Sequence, residues 1–167
     1  MDVEFCGSPR NTLGVEVELA VVDDETGALL CVASDVIAGL ASGRTDGAHP
    51  FAKNELYESV IEVITGINDT VAEAKADLSG TVAEVQAALA PRGASLICPG
   101  VHPFAEWAGL RQTRTERYDQ LVDSIQWPAR RLMTSGVHFH VGVRSGEHAV
   151  AVTTGLIATL PHFLALS

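Results

Sequence analysis

Between Leu13 and Asp23 apolar side chains recur at every second position, with Val15, Val17, Leu19 and Val21 on one face and Glu16 and Glu18 on the other. A period of two predicts a strand buried on its first face. Asp23-Asp24-Glu25-Thr26-Gly27 has the composition of a turn, and Ala28–Val32 is expected as the returning strand. A short helix is expected over Asp35–Ala41 and a loop over Ser42–Pro50. The β-rich run Glu55–Thr65 predicts a second acidic strand. Its Glu58 and Glu62 share a face because their separation is even, whereas Glu55 joins them only through a bulge. The period then changes. Val71, Ala74, Leu78, Val82, Val85 and Leu89 step by three and four within a helix expected over Asn68–Ala90. Thr70 and Glu73 form a capping box at its start, and Pro91-Arg92-Gly93 closes it. A strand over Ala94–Cys98, a helix over Thr115–Met133 kinked at Pro128, and an alternating strand over Gly136–Val143 complete the pattern. The class this predicts is α+β.

The stretch from Ala149 to Leu166 carries no Asp, Glu, Lys or Arg, and its length approaches that of a membrane span. Thr153-Thr154-Gly155 and Pro161-His162 interrupt it, and no basic flank follows. A buried pair of helices is therefore expected there, with no membrane partner.

Charge narrows the range of partners. Eleven Lys and Arg against 21 Asp and Glu leave a formal net charge of −10, with no basic stripe. Nucleic acid and anionic lipid surfaces are thus excluded as expected partners. Cys6, Cys31 and Cys98 stand far apart and form no CxxC pair, so neither a disulfide framework nor a thiolate zinc site is expected. Met1-Asp2-Val3-Glu4 lacks a basic region followed by an apolar run, so no secretory signal is expected and the cytoplasm is the expected compartment.

Three constellations bear on chemistry. Glu16 and Glu18 place two carboxylates on one side of an otherwise apolar strand, which is costly to bury without a cation or hydrogen bonds. Glu55, Glu58 and Glu62 crowd a second strand-like segment, and a solvated acidic face is the alternative reading of both groups. His138-Phe139-His140 puts two imidazoles on one side of a strand, a recurring metal-ligand arrangement, with Val137, Phe139, Val141 and Val143 packing on the other. Taken together, carboxylates and imidazoles without cysteine favour magnesium or manganese, ions that usually meet phosphates. No GxxxxGK[ST] loop is present, which excludes a P-loop.

Several motifs resemble, in order, those of the short-type glutamate–cysteine ligases, also called carboxylate–amine ligases. Ser8-Pro9-Arg10-Asn11-Thr12-Leu13-Gly14-Val15-Glu16-Val17-Glu18-Leu19 is similar to the opening of that family, and Glu58-Ser59-Val60-Ile61-Glu62-Val63-Ile64-Thr65-Gly66 to its second acidic strand. Pro99-Gly100-Val101-His102-Pro103-Phe104-Ala105-Glu106-Trp107 resembles its Gly-Thr-His-Pro-Phe loop, with Val101 where Thr is usual. Glu116-Arg117-Tyr118, Gly136-Val137-His138-Phe139-His140-Val141-Gly142 and Pro161-His162-Phe163-Leu164-Ala165-Leu166-Ser167 are similar to three further signatures.

The resemblance implies a glutamine-synthetase-like antiparallel sheet funnel with flanking helices. It implies that residues 1–167 are the N-terminal part of a single ligase catalytic domain, cut within its core on the C-terminal side. It also implies a reaction: ATP phosphorylates the γ-carboxylate of glutamate and an amine attacks the acyl phosphate, with cysteine as acceptor giving γ-glutamylcysteine. On that template Glu16, Glu18, Glu62 and His138 hold Mg2+ or Mn2+, and His140 sits by the ATP phosphates. Glu55 or Glu58 completes the metal shell or orients the amine, as the catalytic carboxylates, while His102 and Arg117 contact substrate. Self-association of the chain is expected. Two other readings stay open: a zinc-dependent hydrolase built on His138 and His140, and a chain without turnover that binds nucleotide, metal or a partner.

Overall fold

The computed structural model describes residues 4–45 and 47–166. Met1-Asp2-Val3, read above for a secretory signal, Asp46 in the 42–50 loop and the terminal Ser167 lie outside the described residues. Five strands form one antiparallel sheet: β1 (Leu13–Asp23), β2 (Ala52–Asn54), β3 (Val60–Ile64), β4 (Ala94–Ile97) and β5 (Val137–Val141). The alternating segment β1 is the centre. β3 pairs along one edge with Glu18 opposite Glu62, and β2 adds beyond it with Lys53 opposite Glu62. The other edge of β1 is divided: β5 pairs with Leu13–Val17 and β4 with Ala20–Asp23. Between them Glu18 crosses the seam, its N–H donating to the Gly136 carbonyl at 3.0 Å.

Directly opposed residues of an antiparallel pair project to the same side, so the register sorts the sheet into two faces. One carries Val15, Val17, Leu19 and Val21 with Ile61 and Val63. Helices α1 (Ala33–Ala41) and α2 (Val71–Leu89) cover it, and Val36, Ile37, Val85 and Leu89 complete that core. The other face carries Glu16, Glu18, Glu62, His138 and His140.

Helix α2 starts as its capping box predicts: the Thr70 side chain accepts from the Glu73 N–H at 3.1 Å, and the Glu73 carboxylate accepts from the Thr70 N–H at 3.1 Å. A single 3-10 turn and Gly93, at φ +62°, end it, a left-handed conformation that suits glycine. The apolar stripe is buried at Ala74, Val85 and Leu89, but Val71 in the first turn is 74% exposed.

Five expectations give way. The run Glu55–Thr65 is not one strand: residues 55–59 form the reversal between β2 and β3, which leaves Glu58 outside the strand. Ala28–Val32 contributes one isolated bridge, Val22 with Leu29, rather than a returning strand. The helix expected over Thr115–Met133 is α3 (Glu116–Ile125) alone. It stops at Gln126, whose positive φ of 58° breaks the helix before Pro128 is reached, and a 3-10 turn Ala129–Arg131 follows. The buried C-terminal pair is likewise overturned. Helices α4 (Gly146–Leu156) and α5 (Leu160–Leu166) run on from one another through a 3-10 turn, and no residue of either is buried. The first turn leans on Phe5 at Gly146, whereas Leu160, Phe163 and Leu164 are exposed. As one helix, Gly146–Leu166 is long and apolar enough to cross a membrane by length and composition, with a mean hydropathy of 1.7. The apolar face of β5 is also open, since α1 and α2 do not extend over Val137, Phe139 and Val141.

Candidate active site

On the acidic face the β1–β3 register sets Glu18 against Glu62, and like charges directly opposite one another destabilise a sheet. The reversal after β2 brings in a third carboxylate, Glu55. Oxygens of Glu18, Glu55 and Glu62 lie within 4.8 Å of one another, and all three residues are half-buried. Glu18 is fixed by its Oε2, which accepts the Gly136 N–H at 2.7 Å. Glu55 Oε2 accepts the Leu56 N–H at 3.0 Å and lies 3.4 Å from the Tyr118 hydroxyl. Burial, and then the negative charges of Glu55 and Glu16, push the Glu62 carboxyl above the ordinary carboxylate range, against the opposing pull of Lys53. Burial and the charge of Glu55 likewise push the Tyr118 hydroxyl up to about 12, so it stays protonated at neutral pH.

A hard divalent cation fits this donor set: three oxygen ligands converge, and the β2–β3 register sets only the exposed Lys53 opposite one of them, Glu62. Beside the cluster opens a cavity of about 270 Å3, bordered by Glu18, Glu55, Val60, Met133, Gly136 and His138.

The two imidazoles flank Glu16. β5 pairs His138 with Glu16 and His140 with Gly14, so both rings reach the same carboxylate. Glu16 Oε2 is 3.3 Å from His138 Nδ1 and 3.2 Å from His140 Nε2. Partial desolvation raises the Glu16 carboxyl, but hydrogen bonds and charge from His140 and then His138 outweigh it and hold it below the ordinary range.

The structure thus brings together Glu16, Glu18, Glu55, Glu62, His138 and His140. Three other candidates lie elsewhere. Glu58 is buried at the start of α1, where its carboxylate accepts from the Ser34 N–H at 3.1 Å and the Ser34 hydroxyl at 2.7 Å. A carboxylate at a helix N-terminus compensates its unpaired N–H groups. His102 is buried in the 99–106 loop, with Nε2 2.9 Å from the Gly27 carbonyl and Nδ1 accepting from the Ala105 N–H at 3.1 Å, so both ring nitrogens pin the loop. Arg117 is exposed on α3, its guanidinium 5.5 Å from the centre of the Tyr118 ring. Sequence reading passed over Tyr118 and Gly136 as site residues. A backbone donor such as Gly136 leaves no mark in composition, and Tyr118 was visible only as the last residue of the Glu116-Arg117-Tyr118 signature.

Solved structures share this architecture. A bifunctional glutathione synthetase from Pasteurella multocida superposes with a TM-score of 0.62 at 19% identity, over 86% of this chain and 18% of that one. A glutamate–cysteine ligase from Francisella tularensis in complex with AMP superposes with a TM-score of 0.56 at 13% identity, over 89% of this chain and 29% of that one. The mixed α+β fold with its antiparallel sheet is therefore one that this chain shares with both of these ligases. The sequence profile of glutamate–cysteine ligase family 2 matches residues 12–167, and the chain belongs to that family. Relatives bearing the name "Putative glutamate–cysteine ligase 2-1" include proteins of Frankia casuarinae, 46% identical over 167 residues, and Frankia alni, 43% identical over the same length. Each match takes in 100% of this chain and 44% of the relative, so the chain spans less than half the length of these proteins.

Proposed function

We propose that the chain forms the ion- and phosphate-handling part of an ATP-dependent carboxylate–amine ligase that joins the γ-carboxylate of glutamate to an amine, cysteine in the first instance, through an acyl phosphate. The observation that carries this reading is the convergence of Glu18, Glu55 and Glu62 from two strands and a reversal, in a chain that belongs to this ligase family. Mg2+ or Mn2+ held there would neutralise triphosphate charge and the charge that develops in phosphoryl transfer. The residues themselves supply position. Gly136 keeps Glu18 turned into the cluster, and Glu16 orients both imidazoles. With one ring nitrogen directed at Glu16, His138 and His140 each keep the other facing away from it, and that nitrogen donates to a phosphate oxygen when the ring is an imidazolium. The cavity between Glu18 and Met133 seats the reacting groups beside the acids, where fixed geometry lowers the entropic cost of bringing two anions together. Small-molecule substrates and a cytoplasmic setting belong to the same proposal.

ADP release with ATP, Mg2+ and glutamate, measured with and without cysteine, tests it. Release that requires both amino acids and is lost in Glu18→Gln supports the ligase reading. Hydrolysis that prefers zinc to magnesium and needs neither amino acid overturns it in favour of the His138/His140 hydrolase. Nucleotide binding at the cluster without turnover identifies the non-catalytic alternative.

A second expected result concerns association. The exposed Leu160, Phe163 and Leu164 and the open face of β5 present apolar area that water disfavours. Sedimentation at micromolar concentration is expected to show oligomers, and Leu160→Glu with Leu164→Glu is expected to shift them toward monomer.

A further inference from the structure

We infer that Tyr118 is a positioning residue whose hydroxyl holds the Glu55 carboxylate in the acidic cluster. The inference rests on the reading of Glu18, Glu55 and Glu62 as a divalent-cation site.

The three carboxylates are not held alike. Glu18 and Glu62 project from paired strands, whose register fixes their direction. Glu55 sits on the reversal after β2, where no ladder orients it, and two like charges face it. Left to itself, such a side chain swings toward solvent. Two donors oppose that swing, and both act on Oε2: the Leu56 N–H at 3.0 Å and the Tyr118 hydroxyl at 3.4 Å. Its single proton is shared with the Asn54 carbonyl at 3.1 Å, so one three-centre hydrogen bond ties the end of β2 and the Glu55 carboxylate to the same phenol.

Its own support is rigid. Tyr118 is 6% exposed and packs with Leu56, Val122 and Ala129. The segment leading into α3 is stitched to the reversal by Thr113 N–H to the Leu56 carbonyl at 2.9 Å and by Glu58 N–H to the Arg111 carbonyl at 2.9 Å. Helix and reversal therefore move as one, and the phenol transmits that rigidity to the carboxylate.

Mn2+ titration read by electron paramagnetic resonance tests this. Tyr118→Phe keeps the ring and removes only the hydroxyl, and is expected to weaken Mn2+ binding on the order of tenfold, as losses of a ligand's hydrogen-bond partner do. In a Glu55→Gln background the same change is expected to add nothing. Val122→Ala loosens the same packing without touching the hydroxyl and is expected to lower the melting temperature while weakening Mn2+ binding less than Tyr118→Phe does. Unaltered affinity in Tyr118→Phe, with binding lost in Glu55→Gln, overturns the positioning role and spares the cation site. Unaltered affinity in Glu55→Gln, or no binding by the unsubstituted chain, overturns the cation reading and the positioning role with it.

A measurement that leaves position 118 intact covers the case in which Tyr118→Phe does not fold. The chain has two tyrosines, so 13C labelling at the phenol carbon gives two resonances, assigned through Tyr57→Phe. The Tyr118 resonance is expected to move on adding Mg2+ and to stay still in Glu55→Gln. A resonance indifferent to Mg2+ in the unsubstituted chain overturns the inference.

Discussion

Glu62→Gln is expected to raise the melting temperature of the metal-free chain by a few degrees and, in the same variant, to abolish its response to Mg2+ or Mn2+. Glu62 faces Glu18 across the β1–β3 pair and is pushed above its ordinary titration range by burial and by Glu55 and Glu16. A carboxyl whose folded-state pKa is raised contributes stability below its unfolded value, here 4.5, and that contribution is lost as pH climbs through the folded value. At neutral pH the ionised group is therefore a liability in the empty sheet, and the neutral amide relieves it. Cation binding reverses the balance. It needs the carboxylate, so affinity rises with pH over the same window, and losing one of three oxygen ligands should weaken it on the order of 100-fold. Thermal melts in EDTA and in Mn2+, from pH 4.5 to 8, check both halves. If the variant melts lower than the parent in EDTA, repulsion within the cluster is not what Glu62 contributes.

Ile61→Ala is the change expected to cost most in stability, about 2–5 kcal/mol, which is the range for emptying a buried large aliphatic site. Ile61 is fully buried, opposite Leu19, and lies on the far side of β3 from Glu62. Domains of this kind carry about 5–15 kcal/mol in total, so the loss is a large share and should move the urea midpoint clearly. It should also weaken cation binding, because the strand that presents Glu62 loses its backing. Val71→Ala supplies the contrast. Val71 occupies the same apolar stripe by spacing as buried Leu89, yet it is exposed in the first turn of α2, and its loss should stay within about 0.5 kcal/mol.

These two positions also mark how far the sequence could be read. Period and capping are local, and they identified β1, α2 with its Thr70/Glu73 box, the shared side of Glu16 and Glu18 on one strand, and that of His138 and His140 on another. What lay beyond reach depended on partners distant in the chain. Glu55–Thr65 has the β-branched content of a strand, but Leu56 and Glu58 bond to the 111–113 segment and turn the chain there. That reversal carries Glu55 into the cluster and turns Glu58 to the N-terminus of α1. Val137, Phe139 and Val141 alternate as a buried strand should, yet alternation states only which residues share a face and not whether anything covers it. Gln126 at positive φ ends α3 ahead of the proline that composition marks as the breaker.

The divided edge of β1 has a consequence for the order in which the molecule assembles. Glu18, Glu55 and Glu62 lie within the first 62 residues, and β1, β2 and β3 meet across the 24–51 connection that carries α1 and the 55–59 reversal. The contacts that complete the site are far longer: Gly136 reaches Glu18 across 118 positions, and His138 reaches Glu16 across 122. Loop-closure entropy and contact order place such pairings late in folding. A nascent sheet therefore meets a period in which its acids are gathered but its imidazoles have not arrived. Divalent cations present during folding would act then as a template, drawing the carboxylates together before the last strand docks across the seam.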